Sequence, residues 1–304
     1  MTKQELTHMV AEILSQMNGE KQPMVKGSDY KTLVLEQDKK ETCYQSGDFV
    51  PDVTQLNLRE LYLVENAADG EKFRKMKLKT PARLGCGKAG ARYKTLTMLR
   101  FRADHAAAQD AVFSELDADF AKQHDWLPTK TRCETKDEYL TRPDLGRCFD
   151  EHNAKTIKGV VDTPPRVQLV VGDGLSSAAI AANAADCLAA IRDGLKLKGI
   201  ETGKAIFVKY CRVGAGDAIG DITGCELVCM LVGERPGLVT DKSMSVYITY
   251  KPHTGVSESS RTVVSNIHAQ GTPAVEAGAH VAELIDKILK KKVSGVGLHL
   301  GENA

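Results

Sequence analysis

The sequence predicts an α/β protein, in which a mainly helical amino-terminal domain precedes a domain built on a largely parallel sheet. Past Pro165 one pattern repeats: an apolar, strand-like run stops in a glycine-rich or polar turn, and a helix-like stretch often follows. The runs VQLVV and LVCMLV are continuously apolar, which is typical of parallel strands covered on both faces. We therefore predict a Rossmann-like α/β domain. Its function is expected at the turns, because ligands bind beyond the carboxyl ends of such strands.

The first residues predict a short helix on a tether. In residues 1–19 the apolar side chains fall on one stripe at helical spacing, Thr2 and Glu5 match a capping box, and Gly19 suits the helix end. Residues 20–52 are polar and lack periodicity, as in a flexible linker. The helix either docks on its own domain or serves as a targeting or docking peptide that folds on a partner.

Two domains follow the linker. Residues 53–160 are predicted to be mainly helical, with the longest helix between Tyr93 and Leu116. Residues 161–304 are predicted to form the α/β domain. Its strands are expected at 166–172, 205–210, 226–232, 244–250 and 261–265, and its helices at about 176–198 and 273–292.

The composition is that of a globular chain. Of the 304 residues, 42% are hydrophobic and 27% are charged, and no apolar run approaches the roughly 18 residues of a membrane span. The eight cysteines are scattered and none forms a CxxC pair, which predicts reduced thiols in a cytoplasmic protein and no metal site. We therefore expect neither a membrane protein nor a disulfide-rich secreted one.

A basic run stands out in the helical domain. Between Lys72 and Arg102 lie eleven lysines and arginines and no acidic residue; since the whole chain has a net charge of +1, the remainder carries −10. Such a run could bind RNA through phosphates or serve as a scaffold surface. With only 5% aromatic residues, however, stacking platforms are scarce. A solvated face, or one matched to an acidic subunit, is favoured, and no nucleic-acid partner is expected.

A glycine pattern lies within this basic run. The residues from Gly85 to Gly90 match GxGxxG, which binds dinucleotides when it follows a strand and opens a helix. The preceding segment, KFRKMKLKTPAR, is charged and broken by a proline, so the strand is missing. A nucleotide-dependent oxidoreductase is therefore kept only as an alternative.

Three strand exits carry polar residues. Ser176 could cap the next helix or leave free amides for a ligand, and Glu234 with Arg235 could pair locally or face a ligand. His268 is expected to be a hydrogen-bonded structural residue more often than a catalyst. No nucleophile triad or carboxylate pair emerges, so the residues themselves predict a ligand-binding α/β domain without assigned catalytic residues.

Several segments resemble the small (light) subunit of ethanolamine ammonia-lyase. They are RLGCGKAGARYKTLTMLRFRADHAAAQDAVF, YLTRPDLGR, VQLVVGDGLSS, FVKYCRVGAGDAIGD, VGERPGL and RTVVSNIHAQGTPAVEAGAHVAELIDKIL. Together they cover most of residues 80–292 in the order of the family. This resemblance implies an adenosylcobalamin-dependent lyase that converts ethanolamine to acetaldehyde and ammonia by radical migration of the amino group.

The resemblance also implies a division of labour. The large subunit, the expected partner, carries the substrate site in a barrel, and the small subunit closes the cobalamin site from the other side. The cofactor contacts that the resemblance assigns here are Val213, Glu234 and Val263; relatives can have cysteine at the last position. The KYCRVG loop lacks the histidine of the DxHxxG cobalamin motif, so no side chain there is expected to replace the cofactor's own dimethylbenzimidazole ligand.

The family resemblance gives a meaning to the amino-terminal helix. In relatives such an extension directs the lyase into a bacterial microcompartment. Residues 1–19 are therefore expected to dock on the microcompartment or its shell, inside the bacterial cytoplasm.

Overall fold

The computed structural model describes residues 52–161 and 163–300. The predicted helix at 1–19 and nearly all of the predicted linker at 20–52 lie outside this range. The chain divides into two compact units, with the boundary between Arg100 and Phe101.

The described part of the first unit, residues 52–100, is mostly irregular and has short elements. A 3₁₀ turn (Val53–Gln55) comes first; α1 (Gly70–Lys77) is capped by Asp69, whose carboxylate accepts from the Lys72 amide. Two-residue strands β1 (Lys88–Ala89) and β2 (Arg92–Tyr93) pair antiparallel, and α2 (Thr95–Phe113) contains the boundary between the units.

The second unit is built on one six-stranded sheet. The strands are β3 (Leu127–Lys130), β4 (Val167–Asp173), β5 (Ile206–Lys209), β6 (Leu227–Gly233), β7 (Met244–Tyr250) and β8 (Arg261–Ile267). Their order across the sheet is β3-β5-β4-β6-β7-β8. The pairs from β3 to β6 are parallel, whereas β6–β7 and β7–β8 are antiparallel.

Helices cover both faces of the sheet. They are α3 (Ala118–Gln123), α4 (Lys136–Thr141), α5 (Glu151–Lys158), α6 (Ser177–Leu197), α7 (Ala215–Thr223), α8 (Ala274–Lys291) and α9 (Val296–Leu300). Leu169 and Val171 pack in the cluster formed with α6 and α8, while Val170 packs in the cluster formed with α5 and α7. Successive residues of a strand therefore enter opposite cores, which explains the continuously apolar runs.

The predicted α/β fold class is confirmed. The five strands expected from the sequence correspond to β4 through β8, and the two expected helices correspond to α6 and α8. The sheet is mixed rather than largely parallel at one end, because β6 and β7 are joined by a hairpin loop that needs no crossover helix. The region predicted as a helical domain, 53–160, contains the edge strand β3.

Within residues 52–161 and 163–300, none of the helices combines the length and apolar character that crossing a membrane requires.

Candidate functional site

A cavity of about 230 Å³ lies at the carboxyl ends of β4, β5 and β6. Its walls come from α4 through Tyr139, from the β4 exit through Leu175, and from the segment Cys211–Val213 after β5. The segment Val232–Arg235 closes the β6 side, and Ser245 and Tyr247 of β7 complete the lining. The cavity therefore lies where strand-end ligand sites are expected in α/β sheets.

Two of the three residues assigned by resemblance line this cavity. Val213 comes from the loop between β5 and α7, and Glu234 directly follows β6. Val263 is not among the lining residues; it lies on β8 with 46% of its surface exposed. Its register partner is Tyr247, and because paired residues of antiparallel strands point to the same face, Val263 extends the same side of the sheet.

Glu234 is held in place by its neighbours. Its Oε1 accepts a hydrogen bond from Ser245 Oγ at 2.6 Å and another from the Asn266 amide at 2.9 Å. Partial burial acts to raise the pKa of Glu234, but these hydrogen bonds outweigh it and hold the pKa below its ordinary value. Glu234 is therefore an ionised, oriented hydrogen-bond acceptor.

Arginine side chains supply donors in the same cavity. The Arg212 guanidinium stacks 4.2 Å above the Tyr139 ring centroid, and its Nη2 donates to the Tyr139 carbonyl at 2.7 Å. Arg235 is exposed and makes no salt bridge with any residue that the structure describes. An oriented acceptor next to guanidinium donors suits a polar ligand group that both donates and accepts, such as a primary amide.

One of the residues that line the cavity is a cysteine. Cys211 is fully buried, and burial raises the pKa of its thiol well above the ordinary value. Because the thiolate is the reactive form, this cysteine is not an activated nucleophile.

The other polar strand exits have structural partners. Ser176 Oγ accepts from the Ala179 amide at 3.0 Å and donates to the Asp241 carbonyl at 2.6 Å, so it caps α6. His268 Nε2 lies 2.8 Å from Asn266 Oδ1, and its Nδ1 accepts from the Gln270 amide. The structure supports the structural interpretation of both residues.

The GxGxxG segment has the wrong context for a dinucleotide site. It is preceded by turns and runs into the hairpin β1–β2. Gly85, Gly87 and Gly90 all have positive φ, and a Cβ on Gly87 would lie 2.4 Å from the Leu63 carbonyl oxygen. Backbone conformation therefore explains these glycines, and the dinucleotide interpretation is wrong.

The basic run is partly engaged within its own unit. Lys77 is buried and its Nζ donates to the Leu61 carbonyl, while Lys94 pairs with Glu65. Arg100 donates to the Val53 carbonyl at 3.1 Å. These side chains therefore connect separate segments within the first unit.

Sequence reasoning missed Tyr139, Arg212, Ser245 and Tyr247. Tyr139 lies 72 positions before Cys211, which its hydroxyl contacts, so no local spacing could connect the two. Along β7 the polar Ser245 and Tyr247 alternate with the apolar Val246 and Ile248, and this alternation of residue type was a sequence signal that one face of the strand carries polar side chains.

Comparisons with known proteins agree with one another. Residues 70–299 match the family model of the ethanolamine ammonia-lyase light chain. The ethanolamine ammonia-lyase small subunit of Clostridium perfringens is 54% identical over 98% of this chain and 100% of its own length. Those of Clostridioides difficile and Listeria monocytogenes are 52% and 51% identical, with the same coverage. By sequence and by length, this chain belongs to the ethanolamine ammonia-lyase light chain family.

Proposed function

We propose that this chain is the small subunit of an adenosylcobalamin-dependent ethanolamine ammonia-lyase, which converts ethanolamine to acetaldehyde and ammonia. In this proposal the chain forms one wall of the cofactor site, and the large subunit supplies the catalytic barrel. The observation that carries the proposal is the meeting of Val213 and Glu234 in one strand-end cavity, with Val263 on the same face of the sheet.

The residues present fit one edge of a corrin ring. The ring carries primary amides at its periphery, and Glu234 offers an oriented acceptor beside the Arg212 and Arg235 donors. A cavity of about 230 Å³ lies below the roughly 300–1,000 Å³ of complete small-molecule sites, so it suits a part of the cofactor. The remaining contacts would come from the partner subunit.

The contribution of this chain would be binding, orientation and exclusion of water. When bound, adenosylcobalamin supplies radical chemistry through its cobalt–carbon bond. Val213 and Val263 would cover the cofactor with apolar surface, and Glu234 would fix its orientation. A dry wall of this kind protects a radical from side reactions.

The partner follows from the family. The relatives are named small subunits, which implies a large-subunit partner in a hetero-oligomer. We propose that this assembly lies in the bacterial cytoplasm, inside a microcompartment to which residues 1–19 direct it.

Deletion of residues 1–19 is expected to abolish encapsulation and to leave activity intact; lost activity with unchanged encapsulation would contradict this role.

A test of the cofactor site uses the complex of this chain with its large subunit. Adenosylcobalamin binding is measured by absorbance titration, and acetaldehyde formation from ethanolamine reports activity. Glu234→Gln keeps the shape of the side chain but removes its charge, so we expect the dissociation constant of the cofactor to rise about tenfold.

The control for this substitution is Glu201→Gln, since Glu201 is exposed and does not line the cavity. It is expected to leave the dissociation constant unchanged. An unmodified complex that neither binds adenosylcobalamin nor forms acetaldehyde would overturn the proposed function.

A further inference from the structure

The short helix α4 contacts the exits of two strands. Lys136, at its first turn, is buried, and its Nζ donates to the Gly174 carbonyl at 2.9 Å, directly after β4. Tyr139, one turn later, donates from its hydroxyl to the Cys211 carbonyl at 3.1 Å, just after β5. One turn of helix thus connects the two loops that line the cavity.

Tyr139 makes a second connection to the same loop. Its ring packs against the Arg212 guanidinium at 4.2 Å, and its carbonyl accepts from Arg212 Nη2 at 2.7 Å. The side chain is 1% exposed, so its hydroxyl and ring face protein groups or the cavity. Cys211 and Arg212 are therefore both fixed by one tyrosine.

The packing around this tyrosine is tight. A Cβ on Gly174 would lie 2.7 Å from the Cys211 carbonyl oxygen and 2.9 Å from the Tyr139 hydroxyl oxygen. Tyr210, which precedes the loop, has φ +57°, a left-handed conformation that is uncommon for a residue with a side chain. Such a conformation persists where the surrounding structure determines it, and the hydrogen bond to Cys211 is part of that restraint.

We propose that Tyr139 is a positioning residue for the cofactor, which acts by fixing the Cys211–Val213 loop in the geometry that receives it. This inference rests on the proposed function and extends it to a helix outside the assigned contact residues. Val213 is the assigned contact in this loop, and Arg212 is the neighbouring donor. Since the Tyr139 hydroxyl already donates to Cys211, its role is exerted through the loop.

The test compares two single-atom deletions in the complex with the large subunit. Tyr139→Phe removes the hydrogen bond from the hydroxyl to the Cys211 carbonyl and keeps the ring that packs against the Arg212 guanidinium. Tyr210→Phe is the matched control, because its hydroxyl also makes one hydrogen bond, to Glu115 at 2.8 Å, and Tyr210 does not line the cavity. We expect Tyr139→Phe to raise the dissociation constant of adenosylcobalamin about threefold to tenfold, with kcat at saturation unchanged.

Tyr210→Phe is expected to leave that constant unchanged, even where it lowers thermal stability. Equal affinity in the Tyr139→Phe, Tyr210→Phe and unmodified complexes would overturn the positioning role. A complex that fails to bind the cofactor before any substitution would instead overturn the proposed function, so the two failures are distinguishable.

A double substitution separates action through the loop from direct contact with the ligand. Arg212→Lys removes the planar group that stacks on Tyr139 and keeps the charge. If both residues act through one loop, the double variant loses less affinity than the product of the two single losses. A loss of affinity equal to that product would contradict the view that both residues act through one loop. The affinities can still be compared if either single variant is less stable.

Discussion

Asp173 at the carboxyl end of β4 is a buried carboxyl group, and its burial raises its pKa above the ordinary value. Ser177 Oγ lies 2.6 Å from Asp173 Oδ1 and 2.7 Å from the Ser114 carbonyl oxygen. A serine hydroxyl has a single proton, so it can serve only one of two acceptors. Both contacts are hydrogen bonds if Asp173 Oδ1 carries a proton and donates to Ser177. Burial raises the pKa of Asp173, which favours this arrangement.

The raised pKa of Asp173 predicts how stability changes with pH. A raised pKa in the folded state contributes stability that is fully present below the unfolded pKa, about 3.9, and is lost as the pH rises through the folded pKa. Asp173→Asn keeps a donor toward Ser177 and an acceptor for the Leu116 amide, but it does not titrate. The variant should therefore become more stable relative to the natural chain as the pH rises. Urea unfolding at several pH values measures the difference.

Asp173→Ala serves as the control, because it removes both hydrogen bonds and should lower the free energy of unfolding at every pH. Lys136 and Lys209 act on the charged form of Asp173 and lower its pKa in part. If those lysines dominated and the carboxylate were ionised, Asp173→Asn would be less stable at neutral pH and would recover as the pH falls.

Residues differ in how far the sequence could identify them. Glu234 directly follows an apolar strand and lies within the family segment VGERPGL, so position and resemblance led to the same residue. Asp173 also follows a strand, but its partner Leu116 is 57 positions away, and its raised pKa is caused by burial. Roles that arise from contacts between distant segments had no sequence signal.

At the scale of elements, a buried ion pair joins α7 to the antiparallel end of the sheet. Arg261 of β8 and Asp217 of α7 form two parallel hydrogen bonds of 2.7 and 2.8 Å, and their side chains are 3% and 9% exposed. Arg261 also donates to Glu258 and Thr249. The hydrogen bond to Asp217 is the main cause that raises the pKa of Arg261, so the guanidinium stays charged.

Removing one partner of this pair should be costly. Asp217→Ala leaves a buried guanidinium without its main counter-charge, so we expect the free energy of unfolding to fall by about 3–5 kcal/mol. Replacing both partners by apolar residues, as in Asp217→Leu with Arg261→Met, should recover much of that loss. Urea unfolding of the single and double variants gives the coupling between them.

The exposed pair of Arg142 and Asp144 provides a matched control. Its hydrogen bonds of 3.0 and 2.8 Å have similar geometry, but the side chains are 58% and 60% exposed. Asp144→Ala should leave stability unchanged within error, because solvent screens such pairs. An equal effect of Asp217→Ala and Asp144→Ala would show that burial does not strengthen the first pair.

The elements themselves were largely predictable, whereas their pairing was not. Continuously apolar runs identified β4 and β6. Such runs predict that both faces of a strand are buried, but they do not predict which strand lies beside it. β3, with the sequence LPTK, is short and contains a proline, so its place at the edge of the sheet had no periodic signal. Its partner β5 lies far along the chain, and only tertiary structure joins the two.

At the scale of the whole molecule, the first unit carries uncovered apolar side chains. On and directly after α1, Phe73, Met76 and Leu78 are exposed, while the single buried residue of that helix is Lys77. Exposed apolar groups of this kind are typical of proteins that associate. They agree with the expectation that this chain has a large-subunit partner.

The small cavity leads to a prediction about affinity. Complete ligand sites bury about 70–90% of a ligand, whereas the cavity of about 230 Å³ suits only a part of cobalamin. The isolated chain should therefore bind adenosylcobalamin far more weakly than the complex, by about tenfold for each 1.4 kcal/mol of contact free energy that the large subunit adds. Equilibrium dialysis of the isolated chain, the isolated large subunit and the complex, at one salt concentration, measures the three affinities. A monodisperse, soluble monomer that binds the cofactor as tightly as the complex would contradict a shared site, because all the contacts would then belong to this chain.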